Sequence, residues 1–274
     1  MTYSDELIQD LEAKARKIRR DVIVSIGVGV AGHVGGSNSS ADIVTALYFY
    51  KMKHDPKNPK MEDRDRFLLS KGHVGILQYS ALAEAGYFPV EALQHTKELG
   101  SFLQGHPDVQ KTPGIEAGTG SLGQGLSIGL GMALGQKLQE IDAKTYVLVG
   151  DGEIAEGQIW EAAMAASAFH ADNLVAIVDR NGLQANGRTK DRFDSGDITA
   201  KFLSFGWHVI EINGHDMREI CKALDDADTV KGVPTVIIAN TVKGKGVSFA
   251  ENVVGFHNGV LSQEQYDQAL RELS

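Results

Sequence analysis

Apolar residues recur at a helical interval through the first third of the chain. Leu7, Leu11, Ala15 and Ile18 fall on one face of a 3.6-residue repeat, and a second apolar run through Ile43, Leu47 and Tyr50 follows Ser40-Ala41-Asp42, a possible helix cap. His54-Asp55-Pro56 and Asn58-Pro59 then break the chain. The second half changes period. Short β-branched runs at 146–149, 174–179, 208–212 and 235–239 alternate with helical patterns or Gly-rich loops, which predicts a parallel sheet. Between the first two runs, Ile159, Ala162, Ala163, Ala166 and Phe169 mark a helix with a narrow face of small residues, giving a strand–loop–helix–strand unit with a right-handed crossover. A closing helix is expected at 262–273. The expected fold class is α/β, a doubly wound, mainly parallel sheet flanked by helices, whose ligands sit beyond the C-terminal strand ends.

Composition narrows the classes. The chain has 274 residues, 42% hydrophobic and 23% charged, a balance that suits a globular protein and not a disordered one. No linker, repeat or composition shift divides it, so one domain over 1–274 is expected. With 27 basic against 36 acidic residues the formal charge is −9, which argues against nucleic acid and anionic membrane surfaces as partners. Segment 1–20 carries Asp5, Glu6, Asp10 and Glu12 and has no apolar core, so it does not read as a secretory signal. The longest uncharged stretch, 117–136, is too rich in Gly, Ser and Gln for a membrane span and is expected to be buried. Cys221 is the sole cysteine, which excludes an internal disulfide and points to a reducing, cytoplasmic compartment.

Two loops carry candidate chemistry. Val149 leads into Gly150-Asp151-Gly152-Glu153, and Val178 leads into Asp179-Arg180-Asn181-Gly182-Leu183. If the two strands are neighbours, Asp151 and Asn181 offer a carboxylate and an amide oxygen to one point, with carbonyls freed by Gly182 nearby. Such hard oxygen donors suit Mg²⁺, which leaves part of its shell to substrate phosphates and water. Gly150 and Gly152 let a diphosphate approach backbone N–H groups, and the positive end of a helix starting near Glu156 favours the anion. Either loop alone is a common turn; together, at the strand ends of one unit, they favour a diphosphate–Mg²⁺ site.

Four of the nine histidines, His33, His73, His106 and His257, lie in Gly- or Pro-marked loops or turns. Neutral imidazole there can donate to a phosphate or sugar hydroxyl and take up a proton near pH 7, although each could equally be a satisfied turn residue. His54, His95, His170, His208 and His215 read as structural. The Gly-x-Gly-x-x-Gly runs at 27–32 and 118–123 lack the strand and acidic residue that a nicotinamide site needs. Gly125, Gly129, Gly131 and Gly135 are expected to permit close helix packing beside a cofactor-facing turn at 120–122. Lys243 and Lys245 are expected to be solvated, 225–228 to be a solvated acidic helix end, and Trp160, Tyr48, Phe49 and Tyr50 to be core or interface residues.

The stretch from Gly150-Asp151-Gly152-Glu153 through Glu156-Gly157, Trp160-Glu161-Ala162 and Asp179-Arg180-Asn181 resembles the thiamine diphosphate signature of transketolases. Gly32-His33-Val34-Gly35-Gly36, Ser70-Lys71-Gly72-His73, Gly105-His106-Pro107, the segment from Thr119 to Gly125, and Phe256-His257 are similar to transketolase motifs in the same order. The resemblance implies a thiamine diphosphate-binding fold of the PP type. In it Asp151, Asn181 and the carbonyl of Leu183 would hold Mg²⁺ or another divalent cation such as Ca²⁺ or Mn²⁺. His73, Gly120, Ser121, Leu122, Gly152, Glu153, Asn181 and His257 would bind the cofactor. His33 and His106 would act on substrate, and Glu156 would join a network linking two active sites. Val34 and Ser121 stand where the family often has proline, Arg180 where a second asparagine is frequent, and the match after His257 is looser.

The resemblance also implies transfer of a two-carbon ketol unit from a ketose phosphate to an aldose phosphate, as in the pentose phosphate pathway. The pyrimidine-binding and C-terminal domains of that family have no counterpart in this sequence and are expected on a partner chain, a C-terminal transketolase subunit, within a heterotetramer. Three alternatives stay open here: the α subunit of a 2-oxoacid dehydrogenase, a transketolase subunit for an unusual sugar donor, and a non-catalytic cofactor-binding module.

Overall fold

A computed structural model describes residues 3–274. The N-terminal helix α1 (Asp5–Ile26) starts where the Ser4 hydroxyl accepts from the Leu7 N–H, and it buries Ile8, Leu11, Ala15, Ile18 and Val22. Helix α2 (Ala41–Ala46) runs on as a π turn over Leu47–Lys51. Ser40 does not cap it. Its hydroxyl instead receives the Lys71 ammonium at 2.8 Å, because the whole of α2 is buried and its start faces a buried cation.

Five parallel strands follow: β1 (Arg66–Leu69), β2 (Thr145–Gly150), β3 (Leu174–Arg180), β4 (His208–Asn213) and β5 (Thr235–Asn240), in the order β1-β2-β3-β5-β4. The sequence pattern anticipates the last four. It hides β1, whose apolar part is only Phe67-Leu68-Leu69 behind the charged run from Asp63 to Arg66. Strands buried on both faces lose the polar alternation of a one-sided sheet. Phe67, Tyr146, Leu148, Val175 and Ile177 face a core shared with α1 and α2, whereas Leu68, Val147, Val149, Ala176 and Val178 face a second core. Helix α3 (Gly75–Glu84) packs with the first; α4 (Gln124–Leu138) and α5 (Gly157–Ala168) pack with the second. The sheet is therefore doubly wound, as expected. After β4 comes α6 (Met217–Thr229), and α7 (Gln263–Glu272) closes the described chain with a capping box between Ser262 and Gln265.

Four expectations need correction. Segment 117–136 is only half-buried: Leu126, Gly129, Leu130 and Ala133 turn inward, while Leu122 is exposed and Gly131 meets open space. Of its glycines, Gly125 and Gly129 are packing positions, since a Cβ would overlap Ser70 or Val147, but Gly135 is open like Gly131. Phe169 lies just past α5 and is 61% exposed, because the helix ends before the pattern brings it back to the sheet. The acidic run at the end of α6 is not simply solvated. Asp225 accepts from the Tyr3 and Tyr50 hydroxyls at 2.8 and 2.7 Å and from Lys51 at 2.8 Å, which ties α6 to the N-terminal layer. Among the described residues no helix is long and apolar enough to cross a membrane.

Candidate cofactor and metal site

Strands β2 and β3 end side by side, with Gly150 paired to Asp179, so their two loops leave the sheet together. Asp151 joins them. Its Oδ1 accepts from the Gly152 N–H at 2.8 Å and its Oδ2 from the Gly182 N–H at 2.6 Å, and its own N–H donates to the Asp179 carbonyl at 3.2 Å. Burial and the neighbouring Asp179 charge push its carboxyl up to about 6, only partly offset by the backbone donors. The ionised form is thus short of positive charge, the condition that a divalent cation relieves.

Asn181 is oriented by chemistry. Its Nδ2 donates to Asp179 Oδ2 at 2.9 Å, which turns Oδ1 the other way, where it accepts from the Leu183 N–H at 3.1 Å. A carboxylate takes only donors, so the amide cannot be reversed without loss. Asp179 is fully buried and also receives Ser39 Oγ at 2.6 Å, Lys71 Nζ at 2.6 Å and the Thr241 hydroxyl. Burial works to raise its carboxyl, but the Lys71 charge and these bonds prevail and hold it down to about 2.

These groups wall a cavity of about 180 Å³. Asp151, Gly152, Glu153, Asn181, Leu183, Leu122, His73 and His257 line it, all of them expected site residues. Ser121 and Glu156 are exposed and, like Gly120, His33 and His106, lie outside its walls. Gly120 and His106 nonetheless pack together: at φ +143° the glycine would bring a Cβ to 2.7 Å from the His106 ring. A 3-10 turn, Glu153–Ala155, separates Gly152 from α5, and no residue of α5 reaches the cavity, so the nearest backbone donors belong to the loop and not to the helix.

Glu153 lines the cavity and also braces three loops: its carboxylate accepts from Ser70 Oγ and from the N–H groups of Gly123 and Gly150, at 2.9 and 3.0 Å for the latter two. Lys243 corrects an expectation. It is only 3% exposed, and its ammonium donates to the Leu183 carbonyl at 2.7 Å and lies 2.9 Å from His257 Nδ1. Burial, with the Lys71 charge, lowers it to about 8. A cation already sits on the carbonyl that the metal assignment uses, which marks that oxygen as a cation-seeking pole. Gln184, also unforeseen, lines the cavity, and its Nε2 is buried without a partner. Opposite it at Gly152 a Cβ would lie 3.0 Å from Gln184 Cγ, a tight contact that would displace the glutamine. Lys245 keeps its expected exposure beside Glu251.

Three of the four loop histidines converge. Ring centroids are 4.9 Å apart for His33 and His73, 5.5 Å for His33 and His257, and 5.3 Å for His73 and His257. Burial lowers His33 and His257 to about 4 and His73 to about 2, helped by Lys97, Lys243 and Lys71 respectively. All three are neutral at pH 7 and can accept a proton or a hydrogen bond; His33 Nδ1 has no partner. Arg180, the departure beside Asn181, turns away to Asn240 Oδ1 at 2.6 Å and removes no donor.

Among the described residues no group of three His, Cys, Asp or Glu could hold a metal unaided. The donor set is one carboxylate, one amide oxygen and one carbonyl around an open anion pocket with two ammonium groups. That set fits Mg²⁺ shared with a diphosphate.

Residues 11–274 match the family model described as transketolase, thiamine diphosphate binding domain. The chain is 43% identical over 267 residues to an apulose-4-phosphate transketolase subunit of Phocaeicola vulgatus, spanning 97% of this chain and 95% of that one. It is 44% identical over 264 residues to 6-deoxy-6-sulfo-D-fructose transketolase subunit SqwG of a Clostridium species, 96% of each. Human transketolase is 36% identical over 267 residues, but the chain covers only 42% of that protein. The transketolase structure from Campylobacter jejuni superposes with a TM-score of 0.89 at 32% identity, over 99% of this chain and 43% of that one.

Proposed function

The chain belongs to the transketolase family of thiamine diphosphate-binding domains, and on that premise we propose that it is the diphosphate-binding subunit of a transketolase divided between two kinds of polypeptide. The observation that carries this reading is one cavity at adjacent strand tips walled by Asp151, Asn181, the Leu183 carbonyl, Lys71 and Lys243. The activity is transfer of a two-carbon ketol unit from a ketose phosphate to an aldose phosphate, performed with a C-terminal subunit in a heterotetramer.

Thiamine diphosphate, when bound, supplies the electron sink for making and breaking the C–C bond. This chain's residues hold and aim it. Asp151, Asn181 Oδ1 and the Leu183 carbonyl would hold Mg²⁺, while Lys243, the unpartnered Gln184 amide and the charge of Lys71 would lie beside a diphosphate. Neutral His33 and the exposed His106 orient sugar hydroxyls and exchange protons with them. Glu156, exposed at the start of α5, would join a hydrogen-bonded network linking two active sites. The names of the two subunit relatives, one acting on a ketose phosphate and one on a sulfonated ketose, favour a donor scope that includes sugars with either anionic terminus.

Two experiments test the reading. Asp151→Ala is expected to abolish Mg²⁺-dependent thiamine diphosphate binding by calorimetry with the partner present, and unchanged affinity refutes the metal assignment. Ketol transfer is expected only when the C-terminal subunit is added, so full turnover by the purified chain alone refutes the two-chain reading.

A further inference from the structure

His215 sits in the loop after β4, outside the cavity walls, yet its ring is connected on both sides. Asp42, in the first turn of α2 and 6% exposed, accepts from Arg19 Nη1 at 3.0 Å and Nη2 at 2.5 Å. His215 Nδ1 lies 2.7 Å from Asp42 Oδ2, and on the far side of the ring the Val242 N–H donates to Nε2 at 2.8 Å. A ring nitrogen that accepts an N–H carries no proton, so the proton is on Nδ1, donated to Asp42, and the imidazole is neutral. Burial works to raise the Asp42 carboxyl, but Arg19 and His215 hold it below the ordinary carboxylate range, so it stays an acceptor. Val242 directly precedes Lys243, whose ammonium reaches Leu183 and His257. The neighbouring N–H groups of Thr241 and Gly244 go to the carbonyls of Arg180 and Gly35 at 3.2 and 2.9 Å.

We infer that His215 is a positioning residue: through one fixed tautomer it passes the buried Arg19–Asp42 pair on to the Val242 backbone and so sets Lys243 against the anion pocket. The inference rests on reading that pocket as a diphosphate site. A ring that merely fills space could be replaced by any side chain of similar volume. This one must donate at Nδ1 and accept at Nε2, and the acceptor is the atom that faces the residue before Lys243.

Two substitutions in the full chain separate the roles. In His215→Gln the side-chain oxygen reaches the place of Nε2 and keeps an acceptor for Val242; in His215→Asn the shorter side chain reaches only the level of Nδ1. The first readout is amide hydrogen exchange at Val242, which needs no ligand. The asparagine variant is expected to speed it about tenfold or more, and the glutamine variant to leave it within about twofold. The second is calorimetric affinity for inorganic pyrophosphate with excess Mg²⁺. The asparagine variant is expected to weaken it about fivefold and the glutamine variant less than about twofold, with no further loss when His215→Asn is added to Lys243→Ala. Equal behaviour of the two variants, or losses that add on the Lys243→Ala background, overturns the inference. If the asparagine variant does not fold, the glutamine variant decides on the Nε2 acceptor, since it gives up the Nδ1 donor to Asp42: retention of both readings supports positioning through that acceptor and loss of either refutes it. Failure of the wild-type chain to bind magnesium pyrophosphate sinks the diphosphate reading instead, and the relay then stands or falls on Val242 exchange alone.

Discussion

Replacing Asp179 by asparagine keeps the shape of the side chain and removes the carboxylate paired with the Lys71 ammonium, whose side chain is 4% exposed. Four donors converge on that carboxylate, from Ser39, Lys71, Asn181 and Thr241. An amide can satisfy some of them and must turn its own NH₂ toward the others. Breaking a buried ion pair from one side costs about 3–5 kcal/mol. For a chain of this size each kcal/mol moves the melting temperature by about 2–4 °C, so Asp179→Asn is expected to melt about 6–20 °C lower. The same change frees the Asn181 amide to reverse, and loss of such an outer partner typically weakens a metal site by about 10–100-fold. The assay is a thermal melt of the full chain together with a calorimetric Mg²⁺ titration in the presence of thiamine diphosphate and the partner subunit. A second variant, Asp179→Leu with Lys71→Met, removes both charges and is expected to recover most of the stability while metal affinity stays low. If Asp179→Asn matches wild type in both melting and metal affinity, Asp179 does not orient Asn181 and the account of the site is wrong.

Opposite signs are expected for two glycines of one helix: Gly129→Ala overlaps Val147 and should destabilise by about 1–3 kcal/mol, whereas Gly131→Ala meets open space and should gain up to about 1 kcal/mol in chemical denaturation. Asp21, 5% exposed on α1, has its carboxyl raised by burial first and then by the charge and hydrogen bond of Glu84 at the end of α3. The folded chain therefore keeps a proton that the unfolded chain releases near pH 4, so stability is full below that value, falls as pH rises through the raised folded pKa, and is level above it. Denaturation at pH 5 and pH 8 should show the wild type weaker at pH 8, and Asp21→Asn should remove that difference; an unchanged slope counts against the pairing.

The candidate ligand donors were legible in the sequence because each sits in a glycine-marked turn directly after a β-branched run, so that strand adjacency alone brings Asp151 and Asn181 together. What stayed hidden was mostly the fate of charge. Nothing in Thr241-Val242-Lys243-Gly244 distinguishes a buried lysine from a solvated one, since its burial comes from remote residues packing against it, Gly35 in the short helix Val34–Ser39 and His257. Lys71 is hidden in the same way, its partners Gly36, Ser40 and Asp179 being 35, 31 and 108 residues away. That the Glu153 carboxylate also gathers the N–H groups of Gly123 and Gly150 could not be read from the signature, because it depends on loop geometry. The bonds of His215 to Asp42 and Val242 are likewise hidden, spanning 173 and 27 residues, and β1 escaped notice because three apolar residues do not make a period.

The pocket wall is collected from positions 36, 71, 73, 122, 150–153, 181, 183–185, 243 and 257. No short stretch of the polypeptide displays even half of these groups, and the parallel pairings between them close only late, since each spans a long crossover. Occupancy therefore reports on the whole molecule: a ligand that recognises this wall stabilises every layer at once by mass action, and a lesion remote from it, in either core, reduces loading without touching a single donor.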